Sequence, residues 1–332
     1  MEPEPQQQTN PEPEPHQPAQ PAATAARPSL IDRPVPGSAG ATPAHSDAAA
    51  ATLSRHLEAH CFAGGLVPEP ENQPDASSPL RVVTWNVWFD DMEAERRWSA
   101  LLAEALALRP DVLCLQEVTV ELHERMVRCE SLQHHYVLVP LEHNGYYDVT
   151  IWLRRACLLA PGGPTPTSQV VAIESYMGRR CLYTDVTVRS GWRVRLATVH
   201  LESTSPAAPM RKAQLEAILP ALKTAPWSEP PRSPPRSWRC EQPAAQLPDI
   251  AVLTGDFNFC SCSEEDQTVA GEPGVTDLWP QLEGREPGWT EDTEINEMRF
   301  AAKPKHKQVR FDRVLLVRTG SAAGVGAAAA TG

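Results

Sequence analysis

Five apolar stretches of this chain end in polar residues of a similar kind. Each stretch is short and is flanked by polar or turn residues, which is the pattern of a buried β-strand. Because an amide, a carboxylate or an imidazole lies at or near the end of every stretch, we expect these ends to converge on one place in the fold. The stretches are RVVTWN at 81–86, DVLCLQE at 111–117, VRLATVHLE at 194–202, IAVLTGDFN at 250–258 and VRFDRVLL at 309–316.

Each of these polar residues also has an ordinary structural explanation. Side chains alternate along a strand, so Asp256 and Asn258 would point the same way, but Gly, Asp and Asn are also common turn residues. The set of five stretches in this order favours a functional site. The ordinary explanations for the other residues are a cap or turn for Asn86, a first-turn charge for Glu117, a core position for His200 and an ion pair with Arg313 for Asp312.

Convergent carboxylates repel each other unless something of opposite charge bridges them. Mg²⁺ is the natural bridge, because it takes oxygen ligands, typically one or two carboxylates, and keeps water molecules for the substrate. Such an ion would polarise a phosphoryl oxygen, so the pattern predicts phosphate-ester chemistry. The expected roles are metal ligation by Glu117, by Asn86 and, through water, by Asp312; orientation or deprotonation of a water by Asp256 with Asn258; and phosphate contact by His200.

The composition limits the choice of partners and compartment. A formal charge of -12 argues against nucleic-acid binding by the whole surface, although MRFAAKPKHKQVRFDR at 298–313 is locally basic. That segment is either a phosphate contact or a solvated loop, and the two interpretations stay equally open. The N-terminus lacks the pattern of a secretory signal, and no run approaches a membrane span, so we expect a protein of the nucleus or cytoplasm with no membrane partner.

Low-complexity regions flank and interrupt the predicted domain at 79–318. Residues 1–78 are rich in Pro, Ala, Gln and Glu and are expected to be disordered. Within them, ATLSRHLEAHCF at 51–62 has the spacing of a short helix, either transient or partner-binding. A proline-rich insertion at 223–248 and a Gly/Ala tail at 319–332 complete the predicted organisation. The N-terminal region and the insertion are candidate binding sites for protein partners.

Strands and helices alternate irregularly along the predicted domain, with several strands in succession. AERRWSALLAEALA has helical spacing and is followed by Pro110, while APMRKAQLEAILPAL predicts a helix at least to Pro220. Further strands are expected at YVLVP, YYDVTIWLR and RCLYTDVTV. Many successive strands flanked by helices favour an α/β fold in which two sheets pack face to face with helices outside.

The motifs of the polar strand ends resemble those of the endonuclease/exonuclease/phosphatase superfamily. They are TWN at 84–86, LQE at 115–117, HLES at 200–203, GDFN at 255–258 and FDR at 311–313. The resemblance implies a four-layered α/β sandwich with two central, mainly antiparallel sheets and outer helices. It also implies hydrolysis of phosphate esters with Mg²⁺ or Mn²⁺. By resemblance Asn86, Glu117 and Asp312 are on the metal side, and Asp256, Asn258 and His200 are catalytic.

Longer segments resemble the tyrosyl-DNA phosphodiesterase branch of that superfamily. They are GYYDVTIWLRR, HLEST followed by RKAQL, PGWTEDTEINEMRF and RFDRVLL. The branch implies that the substrate is a 5′-phosphotyrosyl bond at a DNA end and that the partner is the single-stranded 5′ end of the DNA. It also implies a role in DNA repair in the nucleus. For Trp289, stacking on a base and packing in the core stay equally open. The substrate-binding residues implied are Ser203, Trp289, Tyr146 or Tyr147, Arg299 and Arg310.

Three features depart from the branch. Ser205 and Cys260 occupy positions where the branch carries arginines that would hold phosphate. No Ser-Asp-His motif follows RFDRVLL, so we expect the domain to lack the last strand of the family and its activity to be impaired by about 10²–10⁴-fold. The alternatives are therefore another nuclease or phosphodiesterase of the superfamily, or a truncated and inactive member.

Overall fold

A computed structural model describes residues 47–48, 51–55, 57, 79–159, 166–225 and 247–320, without 262 and 285. Over these ranges the strands are β1 (Val82–Asn86), β2 (Val112–Thr119), β3 (Tyr136–Leu138), β4 (Tyr147–Arg154), β5 (Gln169–Ala172), β6 (Arg180–Thr187), β7 (Arg193–His200), β8 (Ile250–Asp256), β9 (Val275–Asp277), β10 (Glu291–Asp292), β11 (Gln308–Val309) and β12 (Asp312–Arg318). The helices are α1 (Ala94–Ala107), α2 (Val120–Arg128), α3 (Glu130–His135), α4 (Ala208–Thr224), α5 (Glu264–Gly271), α6 (Leu278–Leu282) and α7 (Glu297–Ala302).

Two large sheets form the centre of the domain. One has four strands in the order β1-β2-β4-β3, and the other has six in the order β5-β6-β7-β8-β12-β9. All neighbours are antiparallel except the pairs β1–β2 and β7–β8, which run parallel. The strands β10 and β11 form a separate two-stranded ribbon. The prediction of two mainly antiparallel sheets is confirmed.

The apolar residues form three clusters, which explains the four layers. The cluster between the sheets takes its side chains from both inner faces, among them Ile151 and Val252. A second cluster packs α1 to α3 on the outer face of the four-stranded sheet, around Leu102 and Leu122. A third packs α4 and α5 on the outer face of the six-stranded sheet, around Ile218. Strands buried on both faces read as continuous apolar runs, which is why their positions could be predicted.

The helical residues among 47–57 differ from the expected transient helix. Residues 51–55 and 57 are helical, and Leu53 and Leu57 are buried in the cluster beneath α1 and α2. The Ser54 hydroxyl also lies 3.1 Å from that of Ser131. Leu53 and Leu57 are one turn apart and so share a face of the helix. This face packs against the core of the domain.

Two further expectations concern single elements. The helix α4 continues past Pro220 to Thr224, because Pro220 is exposed while Leu219 and Leu222 on either side of it stay buried.

Both edges of β12 are paired, with β8 and β9. Within the described ranges β1 pairs on one side only, through β2. The expectations for 1–46, 58–78, 226–246 and 321–332 concern residues outside those the structure describes.

No helix in the part of the chain that the structure describes is long and apolar enough to cross a membrane.

Candidate active site

The polar strand ends converge at one end of the two sheets. Parallel pairing places His200, at the end of β7, beside Asp256 at the end of β8. Antiparallel pairing places Asp312, at the start of β12, on the other side of Asp256. Asn86 Nδ2 donates to Glu117 Oε1 of its own sheet at 3.0 Å and, across the gap between the sheets, to Asp256 Oδ2 at 2.9 Å. One amide at the end of β1 therefore joins the carboxylates of the two sheets.

Glu117 is turned into the site by an irregularity in β2. The register with β4 shifts between Leu115 and Val118, and Glu117 has a positive φ of 59°. A bulge of this kind re-aims a side chain, and a non-glycine residue at positive φ stores backbone strain. Its Oε2 accepts from the Phe89 backbone N–H at 2.9 Å. Burial raises the pKa of Glu117, and the neighbouring Asp256 adds to this rise.

The segment after β8 depends on a glycine and on a left-handed asparagine. Gly255 has φ 134°, and a Cβ there would lie 1.9 Å from the Val199 carbonyl oxygen. Asn258 has φ 54°, and its backbone N–H donates to Asp256 Oδ1 at 2.8 Å. Its side-chain amide donates to the Leu201 carbonyl at 2.9 Å. Asp256 and Asn258 are thus fixed against the end of β7.

His200 is buried beside an arginine that the sequence analysis did not single out. Its Nδ1 lies 2.8 Å from Arg179 Nη1, and its Nε2 lies 3.8 Å from Glu117 Oε1 and 3.7 Å from Asp256 Oδ2. Burial, together with the Arg179 charge, holds the pKa of His200 well below its usual value. Arg179 also donates to Ser203 Oγ at 3.0 Å, which accepts from Asn258 Nδ2 at 3.2 Å. No sequence motif pointed to Arg179, because it precedes β6 rather than ending a strand.

Asp312 carries a buried oxygen without a hydrogen-bond partner. That atom is Oδ1, whereas the backbone N–H of Asp312 donates to Thr290 Oγ1 at 3.1 Å. Burial and the nearby Asp256 raise the pKa of Asp312 to about 8. The ion pair with Arg313, which was the ordinary structural explanation for Asp312, does not form, because Arg313 pairs with Asp266 and Asp277 instead. A buried, unpaired carboxylate is costly unless a cation or proton satisfies it.

The donor set fits a hard divalent cation of the Mg²⁺ kind. The carboxylates of Glu117, Asp256 and Asp312 crowd one another, and Asp312 Oδ1 lacks a partner. Among the described residues no three His, Cys, Asp or Glu side chains converge closely enough to hold an ion by themselves. A Mg²⁺ held by one or two carboxylates and several waters needs no such cage. Glu117 and Asp312 would hold it, and the bound ion would neutralise charge on a phosphoryl group. Asn86, expected as a third ligand, instead turns its Nδ2 to the carboxylates, while its Oδ1 accepts from the Trp88 backbone N–H at 2.9 Å.

Gln116 ties the two sheets together directly behind the site. It is fully buried, and its Nε2 donates to Thr84 Oγ1 at 3.1 Å and to Thr198 Oγ1 at 3.0 Å. Thr84 is in β1 and Thr198 is in β7, so this amide spans the gap between the sheets. The sequence analysis noted Gln116 as a polar strand end but gave it no role. A buried amide whose bonds reach both sheets fixes their relative position.

Aromatic side chains form one wall at the mouth of the site. Phe89 stacks on Tyr147 with ring centroids 4.8 Å apart, and Tyr146 meets Phe89 edge-on at 6.1 Å. Tyr147 in turn lies 6.1 Å from the His200 ring. Tyr146 is 46% exposed, as is Trp289, which lines a cavity of about 900 Å³ between the sheets with Asp312 and Leu316. Both expected substrate-binding aromatics therefore have a free face.

The basic segment is largely neutralised by acidic partners. Arg310 is buried and pairs with Asp277 at 2.9 Å, so its expected contact with DNA phosphates is corrected to a structural ion pair. Arg299 and Lys307 pair with the same Glu291, at 2.9 Å and 2.5 Å. Arg299 also lies 6.0 Å from the Trp88 ring. Of the two arginines expected at the substrate, only Arg299 keeps part of its side chain exposed.

Comparison with known families agrees with this arrangement of sheets and strand ends. The model of the Endonuclease/Exonuclease/phosphatase family matches residues 83–327, which is well over half of the chain. The chain therefore belongs to the endonuclease/exonuclease/phosphatase family.

Individual relatives narrow the likeness within the family. Tyrosyl-DNA phosphodiesterase 2 of Danio rerio is 27% identical over 243 residues, covering 72% of this chain and 57% of that protein. The chain thus spans little more than half the length of this curated relative. The crystal structure of D. rerio TDP2 complexed with single-strand DNA product has a TM-score of 0.56 and 26% identity, covering 73% of this chain and 85% of that one. Truncated Caenorhabditis elegans TDP2, at 21% identity and a TM-score of 0.52 over 72% of this chain and 84% of that one, shares the fold.

Proposed function

We propose that this protein is a Mg²⁺-dependent phosphodiesterase that acts on DNA ends and hydrolyses a 5′-phosphotyrosyl or related bond. Family membership supports a hydrolase of phosphate esters. The observation that carries the proposal is the convergence of Asn86, Glu117, Asp256, His200 and Asp312 from five strand ends in two sheets. The likeness to D. rerio TDP2, whose structure holds a single-strand DNA product, supports a DNA end as the substrate.

The residues of the site have separable tasks in this reaction. Asp256, fixed by Asn86 and by the Asn258 backbone, is placed to accept a proton from the attacking water. Asn258, after β8, and Ser203, after β7, lie 3.2 Å apart and would hold phosphate oxygens through hydrogen bonds. The bound Mg²⁺ would supply the positive charge that a phosphoryl group needs as it is transferred. The wall of Phe89, Tyr146 and Tyr147 would pack against the group that leaves.

Ser205 and Cys260 favour a second candidate, another nuclease or phosphodiesterase of the same family. Both positions are exposed and uncharged, so they add no cation to the mouth of the site. We also propose that the protein acts in DNA repair in the nucleus, with the cytoplasm as the alternative compartment. Localisation of the tagged full chain would test this proposal.

An end-labelled cleavage assay tests the proposal. The purified chain is given a 5′-tyrosyl oligonucleotide or the same strand with a plain 5′ end, with Mg²⁺, with Mn²⁺ or with EDTA. We expect metal-dependent release of tyrosine that Glu117→Gln abolishes, whereas Glu104→Gln, an identical change on an exposed face of α1, leaves it intact. Cleavage of the plain strand alone supports the second candidate. Absence of metal-dependent cleavage of either strand contradicts both and leaves the inactive-member alternative.

A further inference from the structure

Arg179 contacts the catalytic imidazole from the side that faces away from the carboxylates. Its Nη1 lies 2.8 Å from His200 Nδ1, and its Nη2 donates to Ser203 Oγ at 3.0 Å. The guanidinium lies over the Tyr147 ring at 5.1 Å. Arg179 is 8% exposed and His200 is 2% exposed, so neither exchanges its partner for bulk water. The contact is therefore a fixed part of the site.

The chemistry of the two groups determines which ring nitrogen carries the proton. A guanidinium has five N–H donors and no acceptor, and it stays protonated in proteins. A nitrogen that accepts from it cannot itself carry a proton. His200 Nδ1 must then be the acceptor, which leaves the proton on Nε2 and the ring neutral.

The remaining N–H of His200 is aimed at the centre of the site. Nε2 lies 3.8 Å from Glu117 Oε1 and 3.7 Å from Asp256 Oδ2, which is beyond hydrogen-bonding distance of both oxygens. The N–H points into the space that these two carboxylates border. A phosphoryl oxygen placed there would accept this hydrogen bond, whereas a ring with its proton on Nδ1 would offer that oxygen only a lone pair.

We infer that Arg179 is a positioning residue that holds His200 in the neutral Nε2–H tautomer and so makes it a hydrogen-bond donor to the phosphate. In this arrangement His200 does not take up the proton of the attacking water, and that task stays with Asp256. Arg179 also fixes Ser203, which links it to Asn258. The donor role toward phosphate rests on the proposed function, whereas the tautomer itself is a property of the protein alone.

Nuclear magnetic resonance of the full chain labelled with ¹⁵N-histidine tests the tautomer. Long-range ¹H–¹⁵N correlations show which ring nitrogen is protonated, and His200→Gln identifies the signals of His200. We expect the proton on Nε2 in the wild type, and a mixed or reversed tautomer in Arg179→Met. Arg179→Lys keeps one cationic donor and should retain more of the Nε2–H form than Arg179→Met does. A wild-type ring protonated on Nδ1, or a tautomer unchanged in Arg179→Met, overturns the inference.

The neighbouring arginine is the matched control. Arg180 differs from Arg179 by one position but bonds with Asp148 and the Glu142 carbonyl, away from His200. Arg180→Met should leave the tautomer of His200 unchanged even if it lowers the melting temperature. A tautomer change of equal size in Arg180→Met would mean that general loosening of the fold, and not the Arg179 contact, accounts for the effect, and this also overturns the inference.

The kinetic readout separates positioning from binding and from the proposed function. Loss of one donor to a developing anion lowers kcat by about 10²–10³-fold, so Arg179→Met should lower kcat on this scale with a much smaller change in KM. A change in KM alone contradicts the donor role. If the wild type cleaves neither DNA strand, the proposed function fails, but the wild-type tautomer still supports or overturns the assignment to Arg179.

Discussion

Two regions of this molecule looked suited to phosphate chemistry, and the fold treats them differently. The polar strand ends carry a net negative charge and are brought together with strained backbone and an unsatisfied oxygen of Asp312. The segment at 298–313 is positively charged, but Glu291 takes up Arg299 and Lys307, and Asp277 takes up Arg310. The acidic region thus keeps its charge unbalanced, whereas the basic region largely cancels its own.

This difference between the acidic and the basic region shows that only the acidic region is held in an energetically unfavourable arrangement. Crowded carboxylates and positive φ angles cost stability and persist only where the surrounding structure imposes them, which is typical of functional sites. Charges that are already paired within the fold contribute to folding and leave little for a ligand. An unbalanced cluster is therefore a stronger indication of function here than a run of like charges in the sequence.

The largest effect is expected from breaking the strand-end region at Gly255. Gly255→Ala would introduce both a positive-φ strain and a 1.9 Å contact with the Val199 carbonyl oxygen. We expect a loss of about 3–5 kcal/mol in the free energy of unfolding, measured by chemical denaturation. Gly191→Ala is the control, since Gly191 also has a positive φ of 86° but open space around it, and it should cost only about 1 kcal/mol. Equal losses in the two variants would contradict the close-packing argument.

A smaller effect is expected from breaking the basic region at Arg310. Arg310→Met leaves Asp277 paired with Arg313, so the variant loses one charged hydrogen bond and not a whole buried pair. The free energy of unfolding should therefore fall by about 1.5–3 kcal/mol. Arg299→Met, in a partly exposed pair, should cost less than about 1 kcal/mol. The salt dependence of DNA binding should be unchanged by Arg310→Met. A slope reduced by about one phosphate contact would instead show that Arg310 reaches the DNA.

The sharpest test of the unbalanced charge concerns pH. The pKa of Asp312 is raised to about 8 in the folded protein, so between pH 4 and 8 the native state holds a proton that the unfolded state has lost. The contribution of Asp312 to the stability of the metal-free protein should therefore fall as the pH rises through this window. Mg²⁺ should raise the melting temperature more at pH 8 than at pH 5, because it needs ionised carboxylates.

Asp312→Asn should flatten that pH dependence, and Asp91→Asn, at an exposed position before α1, should leave it as in the wild type. Melting temperatures of the three proteins, with and without Mg²⁺ across the window, are the measurement. Because the lowered pKa of His200 acts in the opposite direction below about pH 6.5, the comparison between variants isolates Asp312. A wild type with the same pH dependence as Asp312→Asn would contradict the raised pKa of Asp312.

Much of the fold could be predicted because the central strands are buried on both faces of each sheet. Strands such as β2 and β8 read as continuous apolar runs with a polar end, and the helix spacing of α1 is regular up to Pro110. The packing of Leu53 and Leu57 could not be predicted in the same way. Two leucines one turn apart mark a helical face, but only the surface beneath α1 and α2 supplies something for that face to cover.

The convergence of the polar strand ends could be predicted from the sequence, but the connections between them could not. The position of Glu117 depends on a bulge in β2, and the bulge follows from the pairing with β4 rather than from LQE itself. Arg179 lies outside every motif, yet its contact with His200 fixes the imidazole. The ion pair of Arg310 could not be predicted, because its partner, Asp277, is 33 residues away in the chain.

The sequence by itself determined which strands end in oxygen and nitrogen ligands, since periodicity and residue type are local properties of the chain. Only the tertiary structure decided which of those ligands face each other, and which charges are already paired. Pairings such as Asn86 with Asp256 join residues 170 positions apart, and they exist because the register of the two sheets brings the ends of β1 and β8 together. Hydrogen bonds and ion pairs act over a few ångströms, so their partners are set by the fold and not by proximity in the sequence.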